Sequence, residues 1–444
     1  MRNCIERLFP FPPGVAVLAL VALACGGTTT IGGRGPGGSG DPGATDAADV
    51  ADTAPDAAEE ADAPSDVAAD PDPVKPDASP EAEAVEPPDA VTDEGPDPCA
   101  KGSIHGVACT PSQRAYVSFA KVTLDVTGPC SGGWTVHFET TADAKGNYGF
   151  DAIPPGAAVI SFAKGSFKGS ATIDIGPGQD VDMSGLAERC FKPAGTKIAV
   201  VGGSADRIED LLDDLGLEHD DFDDGSADKT TETSEAHALL TDSAKLAGYD
   251  VLFLNCSSSV QKMLESGPSI PNNIKKFAES GKSVYASDWA WAYIEEAWPQ
   301  AVEFWGVDDS FVKASDGPSS TAGPRQGPGP TQQEMLDGAP PLAVPATIVD
   351  DGLAAAIDQD STTIYFDMGT WVVIDKVPSG TVHVEGKVKS DKGDWGTRPL
   401  VVSFPGSNGK GRVIFTPFHN IAQGETLPGI ADIRAILSYL VFEL

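Results

Sequence analysis

The sequence predicts a multidomain chain: an all-β sandwich, then a doubly wound α/β domain with added edge strands, behind a disordered N-terminal tether. Three observations carry this. Residues 103–192 hold short runs of alternating or branched residues separated by Gly, Pro and Asn, as short sandwich strands do. From Thr196 onward, wholly apolar runs alternate with helical periodicity, the signature of a parallel sheet. Between Gly26 and Pro98 there is no aromatic residue, and Asp, Glu, Ala and Pro dominate.

The chain begins with a short basic head (Arg2, Arg7) and the apolar run Val15–Val21. That run is too short for a permanent membrane span and fits the h-region of a secretory leader. Ala22-Leu23-Ala24-Cys25 closes it, with Gly26-Gly27 after. The stretch resembles the lipobox of bacterial lipoproteins, although Ala22 stands where Leu is usual. The resemblance implies that residues 1–24 are a signal peptide and that Cys25 is the lipidated first residue of the mature chain. A leader cut nearby without lipidation is the alternative. Because Gly26 is not the Asp of retained lipoproteins, the resemblance implies an outer-membrane lipoprotein, on its periplasmic or surface face. No later stretch is apolar enough to span a membrane, so the membrane partner is reached through the lipid alone.

Residues 25–98 form the lipidated Cys and acidic linker. Like charges repel and no core can form, so the segment stays extended. A flexible coil of roughly 70 residues spans about 45–50 Å. The expected role is a spacer, since a calcium sponge would need fixed ligand geometry.

The chain has 30 Lys and Arg against 66 Asp and Glu, a formal net charge of −36. This charge excludes nucleic acid and anionic head groups as favoured partners. Of seven Cys, Cys4 and Cys25 fall in the leader region. An exported chain meets oxidising conditions, so two bridges are expected among Cys99, Cys109, Cys130 and Cys190. Their pairing stays open. Cys256 is left as a free, buried thiol.

In residues 99–192 the strand runs are Tyr116–Phe119, Lys121–Val126, Trp134–Phe138 and Ala158–Phe162. The stretch Asp143-Ala144-Lys145-Gly146-Asn147 feeds an alternating strand that Pro154-Pro155-Gly156 closes. These residues resemble the carboxypeptidase regulatory-like domain, a transthyretin-like sandwich. The resemblance implies an accessory module, not a peptidase. His105 and His137 lie on strands with no zinc-ligand partner nearby in sequence.

In residues 196–444, Lys197–Val201 is a buried strand and Gly202-Gly203-Ser204 opens a helix. That helix carries Ile208, Leu211, Leu212 and Leu215, and Gly216 stops it. Asp220–Gly225 suggests a calcium loop, but Phe222 and Thr231 break the ligand code, so a solvated loop is expected. Asp250–Asn255 is a second strand, Ile274–Glu279 a helix, and Ser283–Ala286 a third strand. A helix then runs through Trp289, Ile294 and Ala297 and stops at Pro299. A Gly/Pro-rich loop spans Gly317 to Pro345. Thr347–Val349, Thr363–Phe366, Trp371–Ile374, Thr381–Val384 and Leu400–Phe404 read as added strands at one edge. Lys410–Asn420 closes the sheet, and the last helix carries Ile433, Ile436, Leu437 and Leu440. Trp289, Trp291, Tyr293, Trp298 and Trp305 crowd one segment. One helix face must be core, and the other is a candidate for stacking on a sugar or peptide.

Tyr249–Cys256, Gly281–Trp289 and Gly409–His419 resemble, in order and motif, the class I glutamine amidotransferase-like family, trehalose-utilisation-like members included. The family implies a flavodoxin-like fold. It also implies a nucleophilic Cys on a tight strand-to-helix turn inside Gly-x-Cys-x-Gly, with a His late in the sheet. Here the turn reads Ala286-Ser287-Asp288-Trp289-Ala290, with neither Cys nor flanking Gly. Cys256 ends the preceding strand, and Asn420 follows His419 where the family has Pro-Glu. The expected domain is therefore catalytically silent, a non-enzymatic binding or scaffold module. Its ligand is expected near Gly202, Asn255, Ser287, Asp288 and His419, with a glycan or peptide as candidate. The alternative is a hydrolase with Ser287 as nucleophile, His419 as base and Asp288 as orienter. Ser287 and Asp288 are also favoured N-cap residues, which alone accounts for them. No metal or cofactor site is predicted.

Overall fold

A computed structural model describes residues 95–184, 190, 195–304, 342–366, 371–390, 393–420 and 429–444. The leader, Cys25, nearly all of the linker, Trp305 and most of the Gly317–Pro345 loop lie outside the described residues.

The N-terminal part of the described chain holds seven strands: β1 (Gly102–Val107), β2 (Lys121–Thr127), β3 (Thr135–Thr141), β4 (Asn147–Ile153), β5 (Gly156–Lys164), β6 (Phe167–Ile175) and β7 (Asp180–Asp182). They form a four-stranded sheet in the order β3-β2-β5-β6 and a three-stranded sheet β4-β1-β7. Alternation does the work expected of it: Val122, Leu124 and Val126 are fully buried, while Lys121 and Thr127 face solvent. Rings from the two sheets meet, with Tyr148 on β4 5.5 Å edge-on from Phe162 on β5. The Asp143 turn forms as its spacing suggests. The Asp143 carboxylate accepts from the N–H groups of Lys145 and Asn147, each at 2.8 Å. Disulfides join Cys99 to Cys130 and Cys109 to Cys190, and Cys256 is free and buried.

The remainder alternates strands and helices: β8 (Ile198–Val201), α1 (Ile208–Leu215), β9 (Asp220–Phe222), α2 (Glu235–Thr241), α3 (Ser243–Leu246), β10 (Val251–Leu254), α4 (Val260–Ser266), α5 (Ile270–Glu279), β11 (Ser283–Ser287), α6 (Trp291–Ala297), β12 (Glu303–Phe304), β13 (Leu342–Ile348), α7 (Asp351–Ile357), β14 (Ser361–Phe366), β15 (Ile374–Lys376), β16 (Thr381–Ser390), β17 (Gly393–Pro405), β18 (Arg412–Thr416) and α8 (Ile430–Glu443). A nine-stranded sheet runs β14-β13-β16-β17-β18-β11-β10-β8-β9. From β18 to β9 every pairing is parallel. In chain order those five strands lie 2-1-3-4-5, a doubly wound arrangement. The four strands beyond β18 pair antiparallel, as an edge extension.

Helices cover both faces, so each central strand buries both sets of side chains. On β8 and β10, Ile198, Val200, Val251 and Phe253 pack with α1 and α8. Ala199, Val201, Leu252 and Leu254 pack with α2, α4, α5 and α6 on the other face. This is why these strands read as continuous apolar runs. The first core continues into the seven-stranded part, where Phe167 lies 5.1 Å from Phe442 of α8. No helix among the described residues is long and apolar enough to cross a membrane.

Several elements differ from expectation. Asp220–Phe222 is not a solvated loop but an edge strand parallel to β8. The first helix begins at Ile208, not directly after Gly203, because Gly203 packs against the end of β10. A Cβ there would sit 2.3 Å from the Cys256 carbonyl oxygen. Trp371–Val373 is not strand; only Ile374–Lys376 is, paired with β12 in a separate ribbon. Pro345 belongs to β13 rather than a loop. Helix α7, capped by Asp350 through the Leu353 N–H at 3.0 Å, has no counterpart among the elements read from the sequence. Its core signal is one buried residue, Leu353.

Candidate functional site

The parallel strands deliver their C-terminal ends to one edge, where doubly wound sheets place ligands. Gly202 follows β8, Asn255 and Cys256 follow β10, Ser287 ends β11, and His419 and Asn420 follow β18. Because β10, β11 and β18 are immediate neighbours, Cys256, Asp288 and His419 converge.

Asp288 forms the bend between β11 and α6. Its φ is +37°, an unfavourable backbone for a residue with a Cβ. The bend turns its carboxylate inward. Oδ1 accepts from the Val372 N–H at 2.9 Å, and Oδ2 lies 3.1 Å from His419 Nε2 and 3.4 Å from Cys256 Sγ. Ser287 Oγ accepts from the Cys256 N–H at 3.0 Å. Neither Ser287 nor Asp288 makes the side-chain cap bond expected of it. Their hydrogen bonds run instead to residues distant in the chain.

Burial sets the electrostatics. Ser287 and Asp288 are 0% exposed, Cys256 3% and His419 6%. Burial pushes the Cys256 thiol up to about 12, with the Asp288 charge adding to it. The thiol is thus held protonated, the opposite of an activated nucleophile. Burial also raises the Asp288 carboxyl, against the opposing pull of His419.

Asn255 has a different occupation. Its Oδ1 accepts from the Ile208 N–H at 3.3 Å at the start of α1, and its Nδ2 donates to Glu209 at 2.9 Å. Gly202 donates its N–H to the Phe222 carbonyl at 2.9 Å, closing the strand end. Both predicted faces of the Trp-rich helix are core: Trp291, Tyr293 and Trp298 are buried, with Trp291 5.4 Å from Phe304 and Trp298 5.6 Å from Phe404. Trp289 is partly buried. His137 and His105 are exposed side chains, His137 beside Asp125 and His105 beside Asp180 and Asp182.

Sequence reasoning missed two constellations. Asp224 lies 3% exposed and accepts from the hydroxyls of Ser257 and Ser259, the latter at 2.6 Å. A second array lies in the edge extension. His383 Nδ1 is 2.5 Å from Asp350 Oδ2, and its Nε2 is 2.7 Å from Ser403 Oγ. The order Ser-His-Asp is that of a serine hydrolase relay. Its setting is not: Ser403 is 2% exposed and sits mid-strand with neighbours on both sides, so its backbone is committed to the ladder. The array ties β16 and β17 to the cap of α7. The only sequence signal was a His alternating with Val on a strand.

An open cleft of about 1060 Å³ lies at the opposite edge of the sheet, lined by Asp213, Glu218, His219, Asp220 and Tyr249. It does not reach the convergent side chains.

Comparison with known proteins adds little to this geometry. No protein-family model matches the chain, and no curated protein matches it. Among solved structures, the chain is similar to PurLQS from Thermotoga maritima at 12% identity, over 56% of this chain and 99% of that one, with a TM-score of 0.33. A cytoplasmic protein from Salmonella typhimurium is similar at 11% identity, over 55% and 98%, with a TM-score of 0.32. So is a Thermoplasma acidophilum protein provisionally described as part of a GMP synthase, at 11% identity, over 55% and 94%, with a TM-score of 0.32.

Proposed function

We propose that this chain is a membrane-anchored envelope lipoprotein whose folded part is a non-enzymatic binding or scaffold module. Residues 99–192 are read as a carboxypeptidase regulatory-like sandwich in an accessory role. Residues 196–444 are read as a class I glutamine amidotransferase-like domain lacking the catalytic Cys. The ligand edge comprises Gly202, Asn255, Ser287, Asp288 and His419, and a glycan or peptide is the candidate ligand. Cys25, behind its short apolar run, supplies the anchor to the outer membrane.

One observation carries the non-enzymatic reading. At the bend where a nucleophile would stand, the side chain is Asp288, fully buried, with both oxygens engaged by Val372, His419 and Cys256. A nucleophile must present an unengaged atom to substrate. The Ser/His hydrolase alternative draws on the Asp288–His419 contact, which could orient a base. Against it, Ser287 Oγ is committed to the Cys256 N–H.

The test treats the full chain with fluorophosphonate and haloacetamide probes and maps adducts by mass spectrometry, alongside ester and amide turnover. No adduct on Ser287, Asp288 or Cys256 and no turnover is expected. A stoichiometric adduct with turnover that His419→Ala abolishes establishes the hydrolase instead. Palmitate-analogue labelling tests the anchor separately: label on the wild type and none on Cys25→Ala is expected, and equal label on both removes the lipid.

A further inference from the structure

Three donor atoms of different kinds meet at the strand ends. Cys256 Sγ, Asp288 Oδ2 and His419 Nε2 all lie within 4.8 Å of one another, each on a buried residue. The Sγ to Oδ2 separation is 3.4 Å and the Oδ2 to Nε2 separation 3.1 Å. A tetrahedral zinc ion holds sulfur at about 2.3 Å and nitrogen or oxygen at about 2.0–2.1 Å, which places S···O at roughly 3.5 Å and O···N at roughly 3.3 Å. The two separations therefore match two edges of one coordination tetrahedron.

The donor chemistry points the same way. Thiolate, imidazole and carboxylate together suit a borderline-soft divalent ion such as zinc, whereas calcium and magnesium demand oxygen donors. Charge also balances, since a divalent cation neutralises one thiolate and one carboxylate in a site that buries both.

The surroundings hold the donors in place. The Val372 N–H fixes the second oxygen of Asp288, and the Cys256 N–H is fixed on Ser287 Oγ. Such outer contacts orient metal ligands. Asn420 follows His419 in the chain and meets Asp206. Asn420 donates its N–H to Asp206 Oδ1 at 2.9 Å. Yet Asn420 Oδ1 and Asp206 Oδ2 are buried with no hydrogen-bond partner among the described residues. Buried acceptors of this kind call for a donor.

We propose that Cys256, Asp288 and His419 form a three-ligand site for a zinc-class divalent cation, with a fourth position left to water or an exogenous ligand. The proposal rests on the reading of this edge as a binding site, and it adds a metal ion to which an exogenous ligand can bind. On binding, the Cys256 S–H bond breaks, the sulfur pair bonds to the metal, and the proton leaves to solvent. No redox change occurs.

The experiment strips the full chain with a chelator and titrates cobalt(II), a spectroscopic substitute, then zinc. One equivalent of cobalt should give the visible bands of tetrahedral coordination and a near-ultraviolet sulfur-to-metal charge-transfer band, which zinc abolishes. Cys256→Ser should lose the charge-transfer band, and His419→Ala should weaken binding by more than about 10-fold. A chain with Cys4 and Cys25 both replaced by Ser should retain the full spectrum. Absence of the charge-transfer band in the wild type overturns the proposal and leaves a cluster held by hydrogen bonds alone. So does a band that survives Cys256→Ser or vanishes with the two leader Cys. The wild-type spectrum decides even if a variant fails to fold. A covalent adduct at Ser287 would end the non-enzymatic reading, whereas a missing charge-transfer band in unlabelled protein would end the metal site, so the two failures are distinguishable.

Discussion

Asp288 Oδ2 and His419 Nε2 stand 3.1 Å apart at the ends of adjacent parallel strands, and the backbone at Asp288 takes a φ of +37° at the bend that brings them together. A residue with a Cβ in that region costs about 1–2 kcal/mol. The strain persists because the carboxylate gains three buried partners. The strand-to-helix bend after β11 thus presents a buried acceptor, and the thiol beside it comes from the end of the neighbouring strand β10.

Removing that carboxylate should therefore be costly, and the chemistry of the replacement should matter. Asp288→Ala removes the carboxylate that accepts from the Val372 N–H and meets His419, and keeps the strained backbone. A loss of about 3 kcal/mol is expected. Asp288→Asn retains an acceptor and tolerates positive φ, so its loss should be smaller by about 1 kcal/mol or more. Urea denaturation of both variants checks this. Equal midpoint shifts would mean that the cross-strand bonds do not stabilise the bend.

The two disulfides should differ in worth. Cys109 and Cys190 are 81 residues apart and Cys99 and Cys130 only 31. In the chain-entropy account, the longer loop should stabilise by about 4.5 kcal/mol and the shorter by about 3.7 kcal/mol. Double Cys→Ser variants of each pair, compared by chemical denaturation, should rank in that order. A reversed ranking would place the stabilisation in local packing of the Cys99 turn.

The sequence read best where one period dominated. The parallel strands were legible because both faces of β8, β10 and β11 are buried, leaving uninterrupted apolar runs. Helix α1 was legible from Ile208, Leu211, Leu212, Leu215 and the left-handed Gly216 that ends it. Helix α7 was not, because its Ala-rich turn buries only Leu353. Strand β9 was hidden by its acidic residues, whose hydrogen bonds to β8 are made by backbone alone. Site residues were individually legible but their partnerships were not. Ser287 and Asp288 obey the local logic of a helix cap, and only three-dimensional neighbours reassign them to Cys256, Val372 and His419. Long-range pairs of this kind, like His383 with Ser403 and Asp350, leave no spacing rule in the chain.

Glu443 should act as the clasp between the seven-stranded part and the α/β part. Its carboxylate meets Lys164 of β5 at 2.5 Å and Arg412 of β18 at 2.5 Å. Burial alone would raise this carboxyl, but the two cations override it and hold it below the usual range. Glu443→Ala leaves Lys164, whose side chain is 16% exposed, without its ion partner. A loss of about 3 kcal/mol is expected, since breaking a largely buried pair strands the other charge. Lys164→Met with Glu443→Leu, which removes both charges, should recover more than half of it. Thermal or urea unfolding of the single and double variants checks the coupling, and purely additive losses would count against the clasp.

Acid should weaken the edge extension through Asp350. The His383 hydrogen bond holds the Asp350 carboxyl down at about 2, from an ordinary 3.8. A folded pKa below the unfolded one means that the native state binds the proton less readily. The stabilisation is therefore complete above about pH 4 and is lost as pH falls through about 2. At about 1.4 kcal/mol per unit, discounted for a partly solvated carboxylate, the array should contribute about 1–2 kcal/mol. Many other carboxylates titrate in the same window, so the comparison must be differential. His383→Gln should flatten the stability profile between pH 4 and pH 2 relative to wild type. Denaturation midpoints measured across pH 2–7 for the two proteins give the difference directly. Parallel profiles would show that His383 and Asp350 are merely adjacent, and that the lowered carboxyl owes its position to the α7 cap instead.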